Sequence, residues 1–252
     1  ALALNTTANG NTSVGQESMN RNTTGSWNVA VGIQSLSHNT TASNNAAVGF
    51  WALYKNTTGH SNTALGMSAL KENTTASNNT AVGYASLGAN TTGANNVAIG
   101  KDALDSNTTA SNNVAIGVDA LQTNTVGAES VAIGTFALNA QNPASAANMY
   151  NVAVGHNTGA SVTTGTRNTL IGAIAGDALT TGGDNTVLGY NALTSDTLGS
   201  KTVAIGRSVL SSQNFTSATD TYNTAVGYGA GGQVTTGTLN TLIGGLTGDA
   251  IT

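Results

Sequence analysis

The segment "NNVAIGVDALQTNTVGAESVAIG", Asn112 to Gly134, contains "VAIG" twice, with Gly117 and Gly134 17 residues apart. The same spacing runs the length of the chain. An aliphatic residue followed by glycine recurs at Gly15, Gly32, Gly49, Gly66, Gly83, Gly100, Gly117, Gly134, Gly155, Gly172, Gly189, Gly206, Gly227 and Gly244. Successive glycines are 17 residues apart except for two steps of 21. A fixed period of this length is the signature of a solenoid, in which each repeat is one coil and buries its apolar side against the next. The two longer steps place four-residue insertions in "NAQNPASAANMY" (139–150) and "SSQNFTSATDTY" (211–222), read as one-sided loops on a regular core. Residues 1–252 are therefore one array of about fourteen coils. The opening "ALALNTT" is already in mid-pattern, so the chain is expected to be a piece of a longer fibre.

Within a coil the residue before the glycine is Val, Leu or Ile, and two residues earlier stands Val or Thr, as at Val29/Val31, Thr63/Leu65 and Val114/Ile116. Alternate residues of a strand share a face. The small residue between them, such as Ala30, Ala98, Ala132 or Ala204, belongs to the other face. This pattern predicts one strand per coil. Its larger side would face the core, and its flat Ala side would be free to pack on another chain. Val31, Ile99, Ile116 and Ile133 are then expected to be buried with Leu104 and Leu121, and Lys101, Asp102 and Arg207 to be exposed. By the same reading Ile116→Asp abolishes folding, because a charge enters an aliphatic row. Four residues past the glycine a leucine recurs, as at Leu36, Leu53, Leu70 and Leu87, and predicts a second strand. It is replaced by Gly159, Gly176, Gly231 and Gly248 in four coils. "NTT", from Asn5 to Asn107 in seven coils, is read as a turn, since Asn and Thr side chains bond nearby backbone. β-branched residues punctuated by Gly and Asn, without helical periodicity, give an all-β, parallel β-solenoid (β-roll) of 17-residue coils.

Composition narrows the function. Charged residues are 7% of the chain and the net charge is −4. The seven basic residues are scattered, so no basic stripe points to nucleic acid. No apolar run approaches the ~20 residues of a membrane span, so no membrane insertion is expected in this segment. There is no cysteine, and His38, His60 and His156 are not at ligand spacing, so no metal, cofactor or thiol chemistry is expected. Asp102 and Asp119, 17 apart, stack as a solvated ladder rather than a glycosidase pair. Asp177 and Asp249 repeat with the scaffold. The chain is therefore expected not to be an enzyme. The positions just after each glycine vary most. Among them Trp51, Tyr84, Phe136 and Tyr190 are candidates for stacking on a sugar ring, and Trp27, just before the second coil's strand, is open to the same reading. Glycan depolymerisation and ice binding by the Thr6/Thr7, Thr23/Thr24 and Thr40/Thr41 rows are the remaining alternatives.

The stretches "NTAVGYASLGANTTGANNVAIG" (Asn79 to Gly100) and "NNVAIGKDALDSNTTASNNVAIG" (Asn95 to Gly117) resemble the repeats of bacteriophage tail fibres and related surface fibres. They are also similar to the head repeats of trimeric autotransporter adhesins, through "SVAIG" (Ser130 to Gly134). The resemblance covers the whole chain. It implies a left-handed β-roll with three chains around one axis, an extracellular location on a virion tail or cell surface, and attachment to a cell-surface glycan or receptor. The "AL" segment and the "NTT" turn depart from the autotransporter pattern and favour a tail fibre or free fibre, with the autotransporter-type head as the alternative. A thin core per coil independently calls for further copies of the chain to complete it. Far-ultraviolet circular dichroism is expected to show β-structure with almost no helix; a helix-dominated spectrum would overturn the assignment.

Overall fold

In a computed structural model, which describes residues 1–249, the chain is a parallel β-solenoid of about fourteen turns with no helix among the described residues. It divides into two compact units, Ala1–Val126 and the residues from Gly127 onward. In the first unit seven three-residue strands, β1 (Thr12–Val14), β2 (Val29–Val31), β3 (Ala46–Val48), β4 (Thr63–Leu65), β5 (Thr80–Val82), β6 (Val97–Ile99) and β7 (Val114–Ile116), pair in parallel. The register is one full coil: Val97 lies opposite Val114 and Ile99 opposite Ile116.

The second unit repeats the arrangement with β9 (Val131–Ile133), β11 (Val152–Val154), β12 (Thr169–Ile171), β13 (Thr186–Leu188), β15 (Val203–Ile205), β17 (Thr224–Val226) and β18 (Thr241–Ile243). Its two insertions are not bare loops. Each ends in a two-residue strand on the coil before it: β10 (Ala147–Asn148) pairs with β8 (Gly127–Ala128), and β16 (Thr219–Asp220) with β14 (Gly199–Ser200). Met149 and Phe215 are buried and pin the insertions down. Pro143 lies outside any strand, where its missing N–H interrupts no ladder.

The two faces of the strand are reversed from the sequence expectation. The central alanines Ala30, Ala47, Ala81, Ala98, Ala115, Ala132 and Ala204 are wholly buried. Their larger neighbours point outward: Ile99 is 38% and Ile133 36% exposed, and Val31 and Ile116 are half-buried. Leu104 and Leu121 are buried as expected, Lys101 and Arg207 are exposed, and Asp102 is only partly so. The reason is thickness. The interior of a coil is already filled by the leucine and alanine of the "AL" segment, which are both buried, and only a methyl group fits opposite them. Ile116→Asp therefore places a charge on the outer surface rather than in the core.

The "AL" segment is also not a second strand. Each of its leucines has a left-handed backbone, with φ of 51° at Leu70, 52° at Leu104 and 51° at Leu121. Such conformations cost roughly 1–2 kcal/mol in an L-residue and persist only where the surroundings hold them. Here hydrogen bonds to the coils on either side do so. The Trp51 N–H donates to Ile33 O in the preceding coil (3.2 Å), and the Leu53 N–H to Ala69 O in the following one (3.0 Å). The corner glycines have φ between 125° and 143°. A Cβ at Gly100 would lie 2.5 Å from Gly117 O, so the close stacking of coils requires glycine there.

The asparagine of "NTT" is not a surface turn residue. Asn22, Asn39, Asn56, Asn73 and Asn90 are fully buried and form a ladder along the stack. The Asn73 Nδ2 donates to Asn56 Oδ1 (2.8 Å) and to Ala76 O (3.0 Å), and neighbouring coils repeat the pair. A second buried ladder, unforeseen in the sequence, runs through Asn28, Asn45, Asn62, Asn79 and Asn96. There each Oδ1 accepts the backbone N–H one coil on, as Asn62 does from Asn79 N (3.0 Å). In the insertions of the second unit glutamine spans the longer gap: Asn151 donates to Gln141 Oε1 (2.9 Å) and Asn223 to Gln213 Oε1 (2.8 Å).

Where the leucine becomes glycine, the volume moves elsewhere. Gly159 and Gly176 are accompanied by Val162 and Leu179 at the ladder-asparagine position and by Leu170 and Val187 inside the strands, all buried. A Cβ on Gly159 would fall 2.7 Å from Leu170 Cδ1. Two substitutions test this core. Asn73→Ala is expected to lower unfolding stability by about 1–3 kcal/mol for each partner left unpaired, here the Asn56 oxygen and one Asn90 amide hydrogen, while the Ala76 carbonyl keeps the Asn62 amide. Ala98→Leu is expected to cost about 1–3 kcal/mol or more by overpacking. Denaturant titration checks both, and an unchanged midpoint in either would contradict the interior described here.

Candidate functional site

Two kinds of surface stand out: the outward rows of the strands, and the corner just past each glycine. On the strands, position one is Val or Thr except for Ala46 in β3, and position three carries Val, Leu or Ile in every coil. Val14, Leu65, Ile99, Ile133, Ile171, Leu188 and Ile243 are all exposed. With Val31, Val48, Val82, Ile116, Val154, Ile205 and Val226 half-buried at the same place, these aliphatics form an outward apolar strip within each unit rather than scattered surface residues.

At the corners the four sugar-stacking candidates have different surroundings. Trp51 is half-buried in an aromatic cluster of the first unit. Its ring stacks on Phe50 with centroids 4.4 Å apart, Tyr54 lies 5.9 Å away, and its indole N–H donates to Gln34 Oε1 (2.6 Å). The Lys71 ammonium sits 5.0 Å over the indole, a cation–π contact. Tyr84 is half exposed, and the same Lys71 lines the hollow beside it, so Lys71 ties Trp51 and Tyr84 into one neighbourhood. In the second unit Phe136 meets His156 edge-on at 6.5 Å, whereas Tyr190 lies 5.8 Å from the Arg207 guanidinium. Arg207 also sits 5.7 Å from Tyr228, so Tyr190 and Tyr228 flank one cation. Trp27 is exposed. The sequence reading missed Tyr54 and Lys71, which lie five residues past a corner glycine. The 17-residue spacing that aligns Tyr54 with Lys71 was their only signal.

Charges are paired along the stack. Lys55 bonds Glu72 (2.5 Å), Arg167 bonds Asp184 (2.6 Å) and Lys201 bonds Asp220 (2.5 Å), each pair bridging neighbouring coils. Lys101 bonds Asp102 (2.5 Å), a contact that raises its pKa, and the nearby Asp119 acts in the same direction. Asp177 accepts from the Thr194 hydroxyl (2.6 Å). The first threonine hydroxyl of each "NTT" is turned along the stack: Thr23 donates to Thr40 O (3.0 Å) and Thr57 to Thr74 O (3.0 Å). Those donors serve the backbone of the next coil rather than a flat ice-facing array. Among the described residues no group of three or more metal-type side chains comes together, and no helix is long and apolar enough to cross a membrane.

No family model, curated protein or solved structure matches this chain.

His38 reports on the aromatic cluster. Its ring packs edge-on against Tyr54 with centroids 4.5 Å apart. Burial lowers its pKa, and the nearby Arg21 lowers it further. A nuclear magnetic resonance titration is expected to place its midpoint below the ordinary ~6.5, with Arg21→Gln raising it part of the way. Because the folded state disfavours the protonated ring, the fold loses stability as pH falls below the unfolded value, and His38→Gln is expected to remove that contribution. A midpoint at or above the ordinary value would contradict the packing of His38.

Proposed function

We propose that the chain is the shaft of a homotrimeric extracellular attachment fibre, of the tail-fibre kind, which spaces and presents a receptor-binding tip. The observation that carries this reading is the outward aliphatic strip. A strand whose inward residue is mostly alanine and whose third, outward residue is Val, Leu or Ile keeps large apolar side chains for something outside its own coil. Transfer of such side chains from water is worth roughly 1.5–3 kcal/mol each when burial is complete. The occupant that matches a strip repeating every 17 residues is a strip with the same repeat, a second and third copy of this chain in parallel register. Three-fold association around a common axis, left-handed winding and location on a virion tail or cell surface follow from the resemblance of the repeats.

The remaining chemistry suits a spacer. Glu72, Asp102, Asp184 and Asp220 are paired with lysine or arginine and Asp177 with the Thr194 hydroxyl, and the buried asparagines serve the stack. Copies held in register would present several tips at once, and avidity then exceeds single-site affinity by orders of magnitude.

Sedimentation equilibrium or native mass spectrometry tests the assembly. The chain is expected to be a trimer at micromolar concentration. Ile99→Asp combined with Ile116→Asp is expected to give a β-structured monomer, since both side chains lie on the outer face. A stable wild-type monomer, or a trimer indifferent to the double substitution, would overturn it; sugar release from a glycan by the chain alone would overturn the non-catalytic shaft.

A further inference from the structure

The corner surface contains the same small hollow twice. In the first unit a hollow of about 300 Å³ is lined by Ser68, Lys71, Glu72, Tyr84, Gly88 and Asp105. In the second unit one of about 360 Å³ is lined by Ser208, Ser211, Tyr228, Gly232, Gln233 and Asp249. The tyrosine, glycine, aspartate and one serine correspond in position, whereas Lys71 and Glu72 line only the first hollow and Ser211 and Leu246 only the second. Tyr84 and Tyr228 each directly follow a corner glycine, Gly88 and Gly232 stand four residues later, and Asp105 and Asp249 lie one coil further on. Ser68 and Ser208 both come from the preceding coil, two residues past its glycine.

The glycine makes the hollow. Its position carries Tyr54, Lys71, Asp105, Thr194 or Ser211 in other coils, so glycine there removes one side chain from a continuous row. Neither Gly88 nor Gly232 has a left-handed backbone, so the conformation does not require glycine. The carboxylate one coil on faces the gap. Asp105 Oδ1 lies 2.5 Å from where a Gly88 Cβ would stand, and Asp249 Oδ1 3.9 Å from that of Gly232. The tyrosine forms a wall and keeps much of its ring in solvent, with Tyr84 49% and Tyr228 56% exposed. Tyr190 has Thr194 in place of the glycine and lines neither hollow.

We infer that each hollow is a subsite for one pyranose ring of a glycan. An exposed aromatic face accepts the apolar C–H face of a sugar. A carboxylate beside it accepts hydrogen bonds from two neighbouring hydroxyls, and these charge-assisted bonds are the stronger kind. The serine hydroxyl supplies a partner that donates or accepts. The volume suits a single ring and is too small for a longer segment to be enclosed. One stacking contact and a few hydrogen bonds in an open hollow give a dissociation constant on the order of 1 mM. Recurrence along one chain turns weak subsites into useful attachment through avidity. The inference does not depend on how many chains associate.

The test is saturation-transfer difference NMR on the full chain with methyl glycosides of glucose, galactose, mannose and N-acetylglucosamine at millimolar concentration. Titration calorimetry counts the sites. At least one glycoside is expected to bind at two sites per chain. Tyr84→Ala and Tyr228→Ala are each expected to remove one site, and the pair to remove both, at exposed positions where the fold is unaffected by circular dichroism. Asp105→Asn and Asp249→Asn are each expected to weaken one site about tenfold. Gly88→Ser is expected to close the first hollow and spare the second. No binding by any of the four glycosides, binding that survives the double tyrosine substitution, or a single site abolished by one tyrosine alone would each overturn the proposal.

Discussion

Coil-on-coil register is the constraint from which the rest of this structure follows. A parallel solenoid places each residue directly beside its equivalent one coil away, so any buried group must be compatible with a copy of itself. Alanine and leucine meet that condition by packing. Asparagine meets it by carrying both a donor and an acceptor on one short amide: Asn39 donates to Asn22, Asn56 to Asn39 and Asn73 to Asn56. A side chain with only one of the two functions would leave an orphan at every level. This is how a chain with 7% charged residues and many polar ones builds an interior without unsatisfied groups accumulating along it.

The same constraint explains the tolerance of the array for change. Leucine can be exchanged for glycine at Gly159 and Gly176 because Val162, Leu170 and Leu179 fill the space, and the hydrogen-bonded row gives way there to an apolar one. The four-residue insertions are accepted because Gln141 and Gln213 are long enough to reach the asparagine of the next coil. In the second insertion the buried Asp196 joins the network, accepting from Gln213 (2.7 Å) and from the Gly199 N–H (3.1 Å). From coil to coil the core stays filled while its residue types change.

Function attaches to what the register leaves free. Two kinds of position are not consumed by the stack: the outer strand residues, which are uniformly apolar at the third place of each strand, and the corner residues, which vary. Uniformity suits association with another copy of the same repeat. Variation suits recognition, and the recurrence of the tyrosine, glycine and aspartate together in two places sets those corners apart from their neighbours.

The sequence by itself determined the period, the coil count, the parallel all-β class, the corner glycines and the burial of Leu104 and Leu121, because each depends only on a pattern repeated at a fixed interval. It also marked Trp51, Tyr84, Phe136 and Tyr190 as variable corner residues. It did not determine which side of the strand faces inward. Alternation defines two faces and ranks them by size, and the usual preference puts the larger inside. Here Ala98 is inside and Ile99 outside, because the interior had already been filled by side chains of the "AL" segment. Only the tertiary structure decides that, since the free volume at one point in a coil is set by residues elsewhere around it. The hollows at Gly88 and Gly232 have the same origin. A missing side chain is a gap only when the coils on either side are in place.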